Sequence, residues 1–309
     1  MDWETDSMDN SYKDQLYHLG IMMKHLYMEL DHIKISQGKL LSELNKKKIS
    51  KNIQDYEFKI FSQWGEDGII QKIIDSIEIK NKTFIEFGVG DFFVSNCRFL
   101  MMHDNWSGFV IDSSEKTIEV LKKAYFYWKY NLKLINAFIY KENINNLLLK
   151  SEFDFDLGLL SIDIDGNDYY ILEAISQYKP RILVVEYNSL FGSKRNISIP
   201  YIADFNRTKA HYSNLYFGAS LRAITYIAKK KGYILVGCDS SGVNAFYIRK
   251  DLMNKKLKEK SVKEAYIFSK FRESRDKEGQ LNYLSEEKRL EVIKGMQVFN
   301  VVNKKKETL

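Results

Sequence analysis

The sequence is poor in the residues that staple, break or anchor a chain. Of 309 residues only two are cysteine, Cys97 and Cys238, and neither lies in a CxxC or Cys/His cluster. That excludes a disulfide framework and a cysteine zinc site, and it fits a reducing compartment. Two prolines and 16 glycines exclude a collagen-like chain, and 45% hydrophobic against 28% charged residues excludes disorder. No apolar run approaches the roughly 18 residues of a membrane span. The acidic start Met1-Asp2-Trp3-Glu4-Thr5-Asp6 lacks a secretory signal's basic and apolar regions. The expected location is the cytoplasm.

The net charge of +6 is unevenly placed. Residues 253–309 hold 15 Lys+Arg and 9 Asp+Glu, which leaves 32 of each sign in residues 1–252. A surface for gripping phosphodiester backbone needs many basic contacts on one face, so a neutral body argues against nucleic acid as partner. Three segments emerge: residues 1–50, an N-terminal heptad helix; 51–252, an α/β unit; and 253–309, a basic segment. The last is expected to be largely helical, with the lysines at 304–306 in a solvated tail.

Residues 12–46 carry the clearest periodicity. Leu16, Met23, Leu30, Gln37 and Leu44 recur every seven positions, with Leu19, Leu26, Ile33 and Leu40 interleaved three residues after each. That is an a/d seam over four heptads, with Glu29 at g and Lys34 at the following e. The favoured reading is a homo-oligomerising helix. The other is an amphipathic helix lying on its own domain, because Ile21, Met28 and Ile35 occupy f positions and Gly20 and Gly38 weaken the helix.

From residue 56 short apolar, β-rich runs alternate with helical segments. Strands are expected at Thr83–Phe87, Gly108–Asp112, Leu132–Ala137, Gly158–Asp163, Ile182–Tyr187, Tyr233–Gly237 and Ala245–Arg249. The alternation predicts a Rossmann-like, mostly parallel seven-stranded sheet covered on both faces. Only residues 238–244 join the last two strands, so the last should run antiparallel. In such sheets ligands bind beyond the carboxyl ends of the strands, where the strand order reverses.

Those ends are acidic. The first carries Glu86-Phe87-Gly88-Val89-Gly90-Asp91, a G-x-G turn without the third glycine of dinucleotide-binding turns. Its flanking acids repel a pyrophosphate and suit a cationic ligand such as S-adenosylmethionine. The second strand ends at Asp112, followed by Ser113, where an acid accepts hydrogen bonds from ribose hydroxyls. The fourth ends Asp163-Ile164-Asp165-Gly166-Asn167-Asp168, and the fifth Glu186-Tyr187-Asn188. Asp163, Glu186 and Asn188 make an all-oxygen set suited to Mg²⁺ or Mn²⁺, or else a hydrogen-bonded acid pair with no metal.

Phe61-Ser62-Gln63-Trp64-Gly65-Glu66-Asp67-Gly68, the Glu86–Asp91 turn, Asp163–Tyr170, Glu186-Tyr187-Asn188 and Phe217-Gly218-Ala219-Ser220-Leu221 together resemble the FkbM-type class I S-adenosylmethionine-dependent methyltransferases. The resemblance spans residues 56–251. It implies methyl transfer to an oxygen, often on a sugar in bacterial surface-glycan or natural-product synthesis. It also implies that Glu86, Gly88 and Gly90 line the methionine portion of the cofactor, and that Asp112 takes the ribose. Asn136 and Ala137 then flank the adenine, and the Gln63–Asp67 segment, with Glu66, folds over it. The chain departs from the group in strand four, where Asp163-Ile164-Asp165-Gly166 replaces the commoner Asp-Val-Glu-Gly.

A sugar hydroxyl is a poor nucleophile at neutral pH, so a base, a cation or both are expected, with Asp165 or His211 as base. The long segment 188–217 carries Lys194, Arg195, Tyr201, Arg207 and Tyr212, a mixture suited to stacking on sugar rings and pairing with phosphate. With Ser220 it is the expected acceptor-binding lid, for a nucleotide-linked or phosphorylated sugar. Two rival readings are a nucleotide- or NAD-dependent sugar-modifying enzyme and a noncatalytic scaffold module. The acidic turn and missing glycine oppose the first. The surviving strand-end acids oppose the second.

Overall fold

The structure is a computed structural model that describes residues 4–309, with side chains described from residue 11 onward. Ten strands form two sheets. The main one contains β1 (Thr83–Phe87), β2 (Ser107–Asp112), β3 (Leu132–Asn136), β4 (Leu159–Ile162) and β5 (Ile182–Glu186), with β7 (Tyr233–Cys238) and β8 (Asn244–Arg249). The smaller contains β6 (Ile197–Ser198), β9 (Gln297–Asn300) and β10 (Lys305–Thr308). The main sheet runs β3-β2-β1-β4-β5-β8-β7. Its first five strands are parallel, and β8 lies antiparallel to both neighbours. All seven expected strands are present, each within two residues of its expected ends.

The strands are apolar because both faces are covered. On one side Ile85, Phe87, Leu160 and Val185 pack against α5 (Ile144–Leu149), α6 (Asp168–Ala174) and α8 (Leu221–Lys230). On the other Phe84, Val110, Leu159 and Val184 pack against α2 (Glu66–Ser76), α3 (Arg98–Asp104) and α4 (Glu115–Lys122). Asp239 closes the β7–β8 hairpin. Fully buried, it accepts Ser241 Oγ and the Gly242 and Val243 N–H groups on one oxygen, and Asn244 N–H on the other. Strand order reverses between β1 and β4, and that reversal positions the site.

The helix α1 (Glu4–Lys46) lies on its own domain along its C-terminal half, as the second reading expects. Its b and f positions, with Lys34 and Leu41 at e, seat its C-terminal half on the domain. Asp31 accepts from the buried Arg98 guanidinium and from Tyr125 Oη. Ile35 and Leu41 join the core between α1 and the sheet. A Cβ on Gly38 would lie 2.6 Å from the Phe99 ring and 2.9 Å from Ile60, so this glycine is the condition for close approach. The a/d seam faces the other way and is exposed along its whole length.

The segment after β8 departs from expectation. It is mostly irregular, with short α9 (Val262–Ala265) and α10 (Glu286–Val292). The lysines at 304–306 are exposed, as expected, but they do not form a free tail. Lys304 lies in the turn before β10, and Lys305 and Lys306 open that strand, which pairs with β9, and β9 pairs in turn with β6 of the proposed lid. The remaining helix, α7 (Arg207–Ala210), lies in that lid. Lys255, Lys256 and Lys258 join Lys46, Lys48, Lys51 and Lys72 around a cleft of about 810 Å³ with no acidic residue in its lining. Among the described residues no helix is long and apolar enough to cross a membrane.

Candidate functional site

A cavity of about 310 Å³ opens at the carboxyl ends of the strands, where β1 and β4 diverge. Its floor is the turn after β1. Gly88 and Gly90 both hold positive φ, and a Cβ on Gly88 would sit 1.8 Å from the Asp163 carbonyl oxygen, so only glycine fits. Gly90 N–H donates to one Asp112 oxygen and Ser114 N–H to the other. Ser114 caps α4, which leaves Asp112 to tie the two turns together and line the cavity beside Ser113. Ala137, Phe138 and Ile139 supply an apolar end. Asp163, Ile164, Asp165, Asn167 and Phe205 close the side toward β4.

Carboxylates crowd the β4 and β5 ends. Asp163, Asp165 and Glu186 each offer an oxygen within 4.8 Å of the others. Burial, reinforced by Asp165 and Asp168, pushes the Asp163 carboxyl well above the usual range. Burial, then Asp163, Asp165 and Asp168, does the same to Glu186, with Arg207 opposing. Two touching carboxyls under these conditions share a proton. Glu186 Oε2 is buried with no hydrogen-bond partner. Asp165 holds a left-handed φ of 55°, unusual for a residue with a Cβ, and its exposed carboxylate meets Arg207 Nη1 at 2.6 Å. Arg207 also pairs with Glu273, donates from Nε to the Asn214 carbonyl and lies 4.3 Å from the Phe217 ring centroid. It latches the lid to the acids. Asp168 faces inward, accepting Ile164 and Gly166 N–H groups, with burial raising it to about 6.

Of the residues expected at the cofactor, Gly88, Gly90, Asp112, Ser113, Ala137 and Asp163 line the cavity, and five others do not. Glu86 turns into the protein to accept Ser95 Oγ and Asn96 N–H, ordering the loop before α3, and burial raises it to about 7. Glu66 accepts Trp64 N–H and Asn244 Nδ2. Asp67 gathers the N–H groups of Ile60, Phe61 and Ser62 with Ser62 Oγ on one oxygen. Both acids therefore build the loop before α2 and do not face the cavity. Gln63 is exposed on that loop, and Asn136 lies behind the lining, donating to the Asp112 carbonyl.

The expected metal set changes in one member. The Asn188 amide donates to the Leu215 and Phe217 carbonyls and accepts Leu190 N–H, which commits it to the lid's base. Asp165 takes its place beside Asp163 and Glu186.

The acceptor set divides likewise. Ser220 is the buried N-cap of α8, and Arg195 pairs with Glu307 and the Thr308 carbonyl of β10. Tyr201 donates to Glu142 and packs edge-on against Tyr170. Lys194 and Tyr212 are exposed outside the cavity lining. His211 follows α7 with Nδ1 against Ser213 Oγ at 2.7 Å, outside the lining, and partial burial lowers its pKa. Arg207 alone of this set reaches the acids. Sequence reasoning missed Phe138, Ile139 and Phe205, whose only signal was an apolar residue next to a strand end or in a polar lid. It also missed Asn167, whose amide reaches the Ile202 carbonyl across the site.

No protein-family profile matches the chain, and no curated protein does. Among solved structures it is similar to a SAM-dependent methyltransferase from Aquifex aeolicus, with 13% identity and a TM-score of 0.34 over 58% of this chain and 88% of that one. Another, from Clostridium acetobutylicum, is 10% identical with a TM-score of 0.37 over 69% and 97%. An O-methyltransferase family protein from Burkholderia thailandensis is 11% identical with a TM-score of 0.35 over 59% and 57%.

Proposed function

We propose that the protein is an S-adenosylmethionine-dependent O-methyltransferase acting on a hydroxyl of a nucleotide-linked or phosphorylated sugar, in surface-glycan or natural-product synthesis. The observation that carries this reading is the cavity between β1 and β4. It joins a glycine floor, the Asp112 carboxylate, an apolar Ala137–Ile139 end and the acids beside it. The residues fit the cofactor. The Gly88–Gly90 turn admits its backbone-close methionine portion, each Asp112 oxygen keeps a lone pair for a ribose hydroxyl, and Phe138 and Ile139 suit a flat base. Negative charge from Asp163 and Asp165 suits a sulfonium.

Bound there, S-adenosylmethionine supplies a methyl group on a leaving group that departs neutral and needs no acid. The protein's tasks are then alignment and removal of the acceptor's proton. The ionised member of the Asp163–Glu186 pair accepts that proton, and Asp165, fixed by Arg207, keeps the field negative. The same three oxygens, with the unpartnered Glu186 Oε2, suit Mg²⁺ or Mn²⁺, which would acidify the acceptor hydroxyl.

Calorimetric titration tests the cofactor: S-adenosylhomocysteine binds and NAD does not, and the reverse result overturns the reading. A methyl-acceptor screen with nucleotide sugars, with and without EDTA, tests the acceptor. Asp163→Asn should lower turnover at least about 100-fold while affinity for S-adenosylhomocysteine, which carries no sulfonium charge, changes little. Turnover that survives both chelation and this substitution removes the metal and the base together.

A further inference from the structure

We propose that α1 pairs with α1 of a second copy of this chain as a parallel, in-register, two-stranded coiled coil. Two facts carry it. The helix docks on its own domain mainly through b and f positions, at Asp31, Ile35, Gly38 and Ser42, with Lys34 and Leu41 at e reaching the domain from the flank, and these cover no a or d side chain. Meanwhile the eight apolar a and d side chains between Leu16 and Leu44 are 43–62% exposed, along about 42 Å of helix.

The free half of the helix sharpens the point. From Ser11 to Tyr27 every residue is exposed, so this stretch draws almost nothing from the body. A helix in water without tertiary packing is marginal, and one interrupted by Gly20 is worse. It needs a partner along the seam, and a heptad repeat is complementary to itself.

Orientation follows from two residues. In a parallel pair Gln37, the one polar a residue, meets its own copy, and the two amides can bond to each other. In an antiparallel pair a residues face d residues, and Gln37 would meet one of Leu19, Leu26, Ile33 or Leu40 with no polar partner. The parallel register also sets Glu29 at g against Lys34 at the partner's e position, opposite charges flanking the seam.

The test uses the full chain. Multi-angle light scattering and sedimentation at about 10 µM should return twice the chain mass of 36.4 kDa. Leu26→Asp with Ile33→Asp, both outside the docked face, should return a monomer whose thermal melt still shows a cooperative core. Gln37→Cys should give a rapid interchain disulfide on mild oxidation, since the native Cys97 and Cys238 are buried. A monomeric parent chain overturns the proposal, as does a trimer or larger assembly. A dimer that survives the double substitution, or a Gln37→Cys dimer that does not crosslink, overturns the seam or the parallel register. A parent chain that is monomeric alone and binds anionic vesicles assigns the seam to lipid instead.

Discussion

At the scale of single residues, two glycines in one helix have opposite meanings. Gly20 has nothing near its missing Cβ, and Gly38 has the Phe99 ring at 2.6 Å. Helix propensity alone favours alanine at either place by about 1 kcal/mol. Gly20→Ala should therefore raise thermal stability slightly, and Gly38→Ala should lower it, because the buried Phe99 cannot move aside. Paired melting curves check both. Asp31 is a related case: its loss leaves the Arg98 guanidinium buried beside Phe61 and Phe126 without an anion. Asp31→Ala should cost about 3–5 kcal/mol, read by urea denaturation. Glu86 gives the pH dependence. Burial raises its folded pKa to about 7 from an ordinary value of 4.5, so the folded state holds the extra proton between those values. This contribution to stability is present at low pH, falls as pH rises from about 4.5 to 7, and is flat beyond. Glu86→Gln should flatten that slope relative to the parent, measured as unfolding free energy at pH 5 and pH 7.5.

At the scale of elements, Arg207 joins α7 to the β4 end. Arg207→Met keeps its apolar stem over Phe217 and removes both ion pairs. The acceptor's KM should rise about tenfold or more while S-adenosylhomocysteine affinity stays within a few fold; equal losses in both would mean that Arg207 supports the cofactor cavity instead. The main-sheet strands were legible because both-face burial makes each an apolar run, and the acids at their ends because polarity there has no packing purpose. What was illegible depended on which backbone reaches a side chain. Glu86, Glu66, Asp67 and Asn188 have the chemistry of ligands, and only the fold shows loop N–H groups or carbonyls already meeting them. The two-residue strand β6 was equally hidden, since its partner Asn300 lies about a hundred residues away and no periodicity fits in two positions. The docked face of the heptad helix was legible, because a period of seven leaves room for a second stripe beside the seam.

At the scale of the whole molecule, the charges of both signs are segregated by place. Seven lysines from three stretches of chain share one cleft, and acids share the carboxyl end of the sheet. Mutual repulsion in the cleft is relieved by anions. Sulfate should therefore raise the melting temperature more than chloride at equal ionic strength, and Lys51→Gln with Lys255→Gln should shrink that difference, checked by scanning fluorimetry. The docking of α1 has a consequence of another kind. Gly38 and Asp31 fix the helix in rotation as well as position, so the body is not a weight on a string. Two bodies on paired helices would be held like arms of a caliper, at a separation set by geometry rather than by a wandering linker. The distance between the two β1–β4 cavities would then be a fixed property of the pair rather than an average over linker conformations.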